Sequence, residues 1–420
     1  TCALPISGSL STGFAGIEAI RRELEDFKDS GKFIVSYGDY YTQGAYYLCS
    51  VADSVFLNPQ GSVSLVGLAS QGLFFTGLAE KIGVEHYIFK VGTYKSAVEP
   101  FFLKKFSDAN REQLTSFLGS VWGNLTTAIE KSRNISSDEL DRYLNEGLAM
   151  GQAFNAVDYK LADGLRYRYE VENCVKEMAG QDVKGKLKTA GVDKVASIKV
   201  KEKDSGNKIA VLYAEGEIRD DDSSSPFSAD EQVISEEMAN KLRKLKDDDD
   251  VKAVVFRVNS PGGSAYISEQ IWKEVVELKA KKPIVVSMGN YAASGGYYIS
   301  CAANKIVAER TTLTGSIGVF GVVRNFTGTF DKVGVTTDIV KTNTFADLGD
   351  ISRPMREDEK ALIQRGVEQT YDLFLTRCAD GRGMTKAEID SIGQGRVWTG
   401  EQALERGLVD QLGGRSEEHT

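Results

Sequence analysis

The chain has 420 residues, 41% of them hydrophobic and 26% charged, which leaves room for two or three globular domains and excludes a disordered chain. A net charge of −9 argues against a nucleic-acid binder, which needs a basic face. No run of roughly 18 or more apolar residues occurs, so no transmembrane helix is expected within this sequence.

The opening residues Thr1-Cys2-Ala3-Leu4-Pro5-Ile6 suit no helix or strand, and neither do the closing Arg415-Ser416-Glu417-Glu418-His419-Thr420. The first residue is not Met. The expectation is a fragment whose natural ends, including any membrane anchor, lie outside this sequence. The cysteines, Cys2, Cys49, Cys174, Cys301 and Cys378, are odd in number and scattered, with no CxxC pair. That argues against a disulfide framework and a zinc site. No cofactor or metal is expected.

From Gly13 to Lys95 the chain overlays on itself at a constant shift of 251 residues. Phe33-Ile34-Val35-Ser36-Tyr37-Gly38 falls on Ile284-Val285-Val286-Ser287-Met288-Gly289, and Gly44-Ala45-Tyr46-Tyr47 falls on Gly295-Gly296-Tyr297-Tyr298. Later, Leu161-Ala162-Asp163-Gly164 meets Leu408-Val409-Asp410-Gln411. A unit of about 150 residues, present twice, is a duplication rather than a solenoid.

Along the chain, residues 170–178 read as a helix inside a charged stretch between the halves. The β-branched runs 209–213 and 251–258 read as buried strands. Residues 264–281 carry Ile267, Ile271, Val275 and Leu278 at helical spacing, and Pro283 ends that helix before a strand at 284–287. Helices follow at 358–378 and 386–392, and Thr399 with Gln402 forms a capping pair for a last one. This rhythm predicts an α/β fold with crossover connections. The expected domains are a first repeat at 7–166, a linker region with a helix at 167–207, and a second repeat at 208–414.

Only two histidines exist, His86 and His419, and neither stands where a Ser-His-Asp triad would need its base. A nucleophile here needs another activator, and a buried lysine with a lowered pKa can serve. Ser294, in Ala292-Ala293-Ser294-Gly295-Gly296, is expected at a strand-to-helix turn; the first repeat has Gln43 in its place. Lys95 lies in a mostly apolar segment, and the second repeat has Ala346 in its place. Each half therefore keeps what the other lacks. If the halves pack about a pseudo-twofold axis, Lys95 faces Ser294 and a single live site results. Taken alone, Ser294 reads equally as a helix N-cap and Lys95 as a surface lysine. The Gly262-Gly263 turn after the 251–258 strand offers backbone N–H groups suited to an oxyanion, or is a simple tight turn. Ser316, replaced by Leu65 in the first repeat, either orients the lysine or caps its own turn.

Taken together, Gly92-Thr93-Tyr94-Lys95-Ser96-Ala97-Val98-Glu99-Pro100-Phe101, Asn259-Ser260-Pro261-Gly262-Gly263-Ser264, Ala292-Ala293-Ser294-Gly295-Gly296 and Leu313-Thr314-Gly315-Ser316-Ile317-Gly318 resemble the long, duplicated form of the signal peptide peptidase A (protease IV) family. The resemblance runs from about residue 8 to 414. It implies a tandem duplication of a Clp-protease/crotonase-like α/β unit, with Ser294 as nucleophile, Lys95 as general base and Ser316 holding the lysine. Gly295 and an amide of the Gly262-Gly263 turn would form the oxyanion hole. It further implies a homotetramer at the bacterial inner membrane, held by an N-terminal anchor and facing the periplasm, that degrades signal peptides. Acyl-CoA chemistry on the same fold and a non-catalytic scaffold are the alternatives.

Overall fold

The computed structural model describes residues 2–5, 10–198, 206–220 and 232–414. The chain forms two compact units, one of residues 1–68 and 120–207, the other of residues 69–119 and 208–420.

In the first unit the strands Cys2–Pro5, Ile34–Tyr41, Ser54–Val63 and Gly164–Leu165 form one parallel sheet in that order. The opening residues were expected in no element. Residues 2–5 instead pair with 34–37 at the sheet edge, where Pro5 is tolerated at the strand end. Parallel pairing requires crossovers, and the helices Gln43–Cys49 and Ala153–Asp158 help supply them. The helix Arg168–Met178 buries Val171 and Val175 against Val35, Tyr37 and Phe56.

In the second unit a seven-stranded sheet is built around Ile284–Ala293. Val251–Ser260 pairs with one side of it, and Lys208–Glu215 pairs in turn with Val251–Ser260, all parallel. The other side forks: Val285 to Ser287 pair with Lys305–Ala308, whereas Tyr291 to Ala293 pair with Leu313–Gly315. The expected strand at 284–287 is thus longer, because its second half gains a new partner beyond a register shift after Met288. The helix Ala265–Lys279 buries Ile267, Ile271, Val275 and Leu278 against Val254, Phe256, Ile284 and Val286, as its spacing predicts. The helices Glu357–Arg382 and Lys386–Ile392 and the Thr399–Gln402 capping box also match expectation.

Corresponding parts of the two repeats use the same internal bonds. Asp163 Oδ2 accepts from Val55 N and Asp410 Oδ2 from Ile306 N, at 2.6 and 2.7 Å. Tyr46 donates to Leu161 O and Tyr297 to Leu408 O. The helices Thr76–Ile82 and Thr327–Val333 begin and end at the same repeat positions.

The repeats differ where it matters for the site. The strand Glu85–Val91, from the first repeat, pairs antiparallel with Val319–Asn325 of the second, with Val91 opposite Val319. Both strands belong to the second unit.

Candidate active site

Ser294 ends the strand Ile284–Ala293 and caps the short helix Gly295–Tyr298. Its backbone sits at φ 54°, ψ −119°, a region non-glycine residues rarely occupy, which costs about 1–3 kcal/mol. The surroundings hold it there: Ser294 N donates to Gly315 O at 2.9 Å, and Ser294 O accepts from Tyr298 N at 2.9 Å. Such a turn lifts the side chain out of the strand, although this is not a G-x-S-x-G elbow, since Ala292 stands where the first glycine would be.

Parallel neighbours end at one edge, so Gly315 and Ser316 arrive beside Ser294. Ser316 also has positive φ, at 50°, and its N–H donates to Arg396 O at 2.7 Å. Three residues later the strand Val319–Asn325 begins, and its first residue faces Val91. Lys95, four residues beyond Val91, is thereby delivered to Ser316.

Lys95 is 4% exposed. Its Nζ lies 3.1 Å from Ser294 Oγ, 3.1 Å from Ser316 Oγ and 3.1 Å from Ser316 O. Burial pushes its pKa down from 10.5 to about 8. A neutral amine has two N–H donors and one lone pair. With both donors on Ser316, the lone pair is left for the Ser294 hydroxyl. Gly395, at φ 76°, lets the chain pass against Lys95: a Cβ there would lie 2.7 Å from Lys95 N and 2.7 Å from Lys95 Cβ.

The Gly262-Gly263 turn packs on the backbone at Ser294 and Gly295. A Cβ on Gly262 would fall 2.7 Å from Gly295 N and 2.8 Å from Ser294 Cβ. The Gly262 N–H is already donated to Ser260 Oγ at 3.1 Å. Among the described residues, the N–H groups of Gly263 and Gly295 have no acceptor. All six residues singled out by the sequence (Lys95, Gly262, Gly263, Ser294, Gly295 and Ser316) therefore meet within the second unit.

In the first unit the aligned position is filled differently. Gln43 Oε1 accepts from Val66 N at 3.2 Å and Gly67 N at 3.0 Å, and Leu65 is fully buried. In the second unit, the His86 ring lies tilted against Phe101, ring centroids 5.1 Å apart. His419 lies outside the described residues. Among the described residues no group of His, Cys, Asp and Glu side chains could hold a metal ion, and no helix is long and apolar enough to cross a membrane.

Sequence reasoning missed the residues behind Lys95. The turn at 393–396 meets its loop through Tyr94 N to Gln394 O, 2.8 Å. That turn is held by Tyr371 and Asp390, both bonded to Gln394. Gln113 reaches the same loop from the helix Asp108–Arg133. These are ordinary polar residues far apart in the chain, and no local pattern marks them.

The profile described as "Peptidase family S49" matches residues 26–182 and 276–419, and that described as "Clp protease" matches residues 227–317. Protease 4 of Salmonella typhi is 40% identical over 401 residues, covering 94% of this chain and 64% of the relative. Protease 4 of Haemophilus influenzae is 38% identical, covering 96% and 66%. Serine protease SPPA, chloroplastic, of Arabidopsis thaliana is 34% identical, covering 97% and 60%. The chain thus spans 60–66% of the length of these three relatives. Both repeats are α/β units, the second carries the Clp-protease match, and with the S49 matches falling in both of them the chain belongs to peptidase family S49.

Proposed function

We propose that this chain is the catalytic part of a serine endopeptidase in which Lys95 is the general base for Ser294. The observation that carries this reading is the buried Lys95 amine, 3.1 Å from Ser294 Oγ, with no carboxylate in salt-bridge reach among the described residues. A lysine paired to an acid would stay protonated; an unpaired one in an apolar site can give up its proton near neutral pH.

The reaction follows from the groups present. Neutral Lys95 takes the Ser294 hydroxyl proton as Oγ bonds to the peptide carbonyl carbon. The carbonyl oxygen becomes an oxyanion, held by the N–H groups of Gly263 and Gly295, while Gly262 leaves room for the close approach. Collapse breaks the C–N bond, and Lys95 returns the proton to the leaving amine. Water then gives a proton to Lys95 and attacks the ester, and Ser294 recovers its hydrogen. Ser316 keeps the amine aimed throughout.

The substrates proposed are signal peptides and other membrane-proximal peptides, cut by a homo-oligomer at the periplasmic side of the inner membrane. The S49 match supports peptides as the substrate class, and the signal-peptide, membrane and assembly parts of the reading come from the motif resemblance. Acyl-CoA chemistry and a scaffold role explain neither the unpaired amine nor its aim at a hydroxyl. Fluorophosphonate labelling mapped to Ser294, together with peptide cleavage by the parent and none by Ser294→Ala, is the expected result. Cleavage retained in Ser294→Ala would sink the assignment.

A further inference from the structure

Three polar groups around the lysine converge on one side chain. The carboxamide of Gln113 donates from Nε2 to Tyr94 O at 2.9 Å and to Ser96 Oγ at 2.8 Å. Its Oε1 accepts from Val397 N at 3.3 Å. Gln113 is 3% exposed, so these bonds have no water competing for them.

The two chain segments it joins are the ones that hold the amine. Tyr94 and Ser96 flank Lys95. Val397 follows Arg396, whose carbonyl accepts from Ser316 N at 2.7 Å, and Ser316 takes Lys95 Nζ on both its oxygens. Gln113 therefore closes a ring of bonds that runs from Lys95 through Ser316 and the 396–397 strand and back to the lysine's own backbone.

Gln113 is itself braced. Its Nε2 lies 3.1 Å from Asn110 Oδ1, and Asn110 Nδ2 donates to Glu99 Oε2 at 2.9 Å. Glu99 is 2% exposed, four residues past Lys95, and also accepts from Ser107 N and Ser107 Oγ. The first two turns of the helix Asp108–Arg133 are thus tied to the lysine loop at two points, Glu99 and Tyr94–Ser96.

The geometry points to Gln113 as a positioning residue that fixes the Lys95 backbone relative to Ser316, and so sets the direction of the amine toward Ser294. It touches neither substrate nor reacting atoms. The inference rests on the reading of Lys95 as the base. A lysine side chain is long, so a small rotation of its backbone moves Nζ by an ångström, enough to lower a rate about 100-fold.

The test uses the whole chain with Gln113→Leu, which removes all these bonds at similar volume, and Gln113→Glu, which keeps an acceptor for Val397 N but loses both donors. Glu112 and Arg396, the charged neighbours on the helix and the facing strand, are unchanged in both. With circular dichroism and the unfolding midpoint showing a folded chain, kcat for a peptide substrate falls about 10- to 100-fold in both variants while KM stays within about twofold. In Gln113→Glu the acid limb of kcat/KM also moves to higher pH, because a nearby carboxylate favours the ammonium. The readout that a purely structural residue would not give is the fall confined to kcat, at a parent-like KM and unfolding midpoint. Carbon-13 NMR of the lysine ε-carbons, with Lys95 assigned by its loss in Lys95→Met, reads the amine without catalysis; its midpoint rises in Gln113→Glu. If both folded variants keep the parent's kcat, the inference is overturned. If the parent neither cleaves peptides nor takes fluorophosphonate at Ser294, the peptidase reading fails instead, and an unmoved Lys95 midpoint in Gln113→Glu then overturns the role of Gln113 on its own.

Discussion

Lys95 Nζ and Ser294 Oγ lie 3.1 Å apart across 199 positions of the chain. A ladder brings them together: Glu85–Val91 pairs with Val319–Asn325, and the latter starts three residues after Ser316. The lysine and its clamp are therefore the extensions of two adjacent strand ends, which is a stiffer arrangement than a loop folding over a cleft.

If that pair is the catalytic one, Ser294→Ala, Lys95→Ala and Lys95→Arg each lower kcat/KM by about 10³-fold or more. Arginine fails because its guanidinium stays protonated and cannot accept the serine proton. Because serine and base act as a unit, the Ser294→Ala/Lys95→Ala double variant should be no worse than either single one. Steady-state hydrolysis of a fluorogenic peptide checks this, and a Lys95→Arg variant with near-parent activity would refute it.

Activity should be limited by an acid limb near pH 8. As the proposed base, Lys95 works only when neutral, and burial lowers its pKa to about 8. Log kcat/KM should rise with unit slope below pH 8 and level off above it. Bound substrate dries the site further and disfavours the ammonium, so the kcat limb should lie at or below the kcat/KM limb. A profile flat from pH 6 to pH 9 would contradict the lysine base.

The same burial carries a stability signature. The Lys95 pKa is lower in the folded chain, about 8, than the ordinary 10.5. Between those values the unfolded chain binds the proton and the folded one does not, so stability falls as pH drops from about 10.5 to 8 and is flat below. The full penalty is about 3 kcal/mol. Lys95→Met removes it, less what is lost in bonds to Ser294 and Ser316. The inactive variant should therefore be more stable than the parent by about 1–2 kcal/mol at pH 7, and the gap should shrink toward pH 10. Urea unfolding at the two pH values measures it; a less stable Lys95→Met at pH 7 would count against a buried, unpaired amine.

Two glycines should respond in opposite ways to alanine. Gly262 has φ 106°, and its Cβ would press on Gly295 N and Ser294 Cβ. Gly262→Ala should destabilise by about 1–3 kcal/mol and lower kcat about 100-fold or more, by moving the proposed oxyanion donors. Gly366 lies in the helix Glu357–Arg382 with open space around its Cβ position. Gly366→Ala should stabilise by about 0.5–1 kcal/mol and leave kcat alone. Thermal unfolding and kinetics of the pair, run side by side, test whether the tight turn matters for catalysis and not merely for folding.

The sequence by itself determined the duplication, several strands and helices, mostly of the second repeat, and the candidate residues. Repeat matches at a constant shift survive because each copy must bury the same face, so Ile267, Ile271, Val275 and Leu278 announce their helix, and Asp163 and Asp410 recur at equivalent strand ends. The complementary losses, Gln43 for Ser294 and Ala346 for Lys95, are visible in the letters alone. Only the tertiary structure decided that the first repeat's residues 69–119 fall in one compact unit with the second repeat, through a separate two-stranded pairing of Glu85–Val91 with Val319–Asn325. Strand pairing between distant segments is a matter of backbone hydrogen bonds, which any residue but proline can make, so it leaves little trace in residue type. The same holds for Gln113, Gln394 and Glu99. A buried amide or carboxylate is defined by what surrounds it, and those surroundings exist only once the chain has folded.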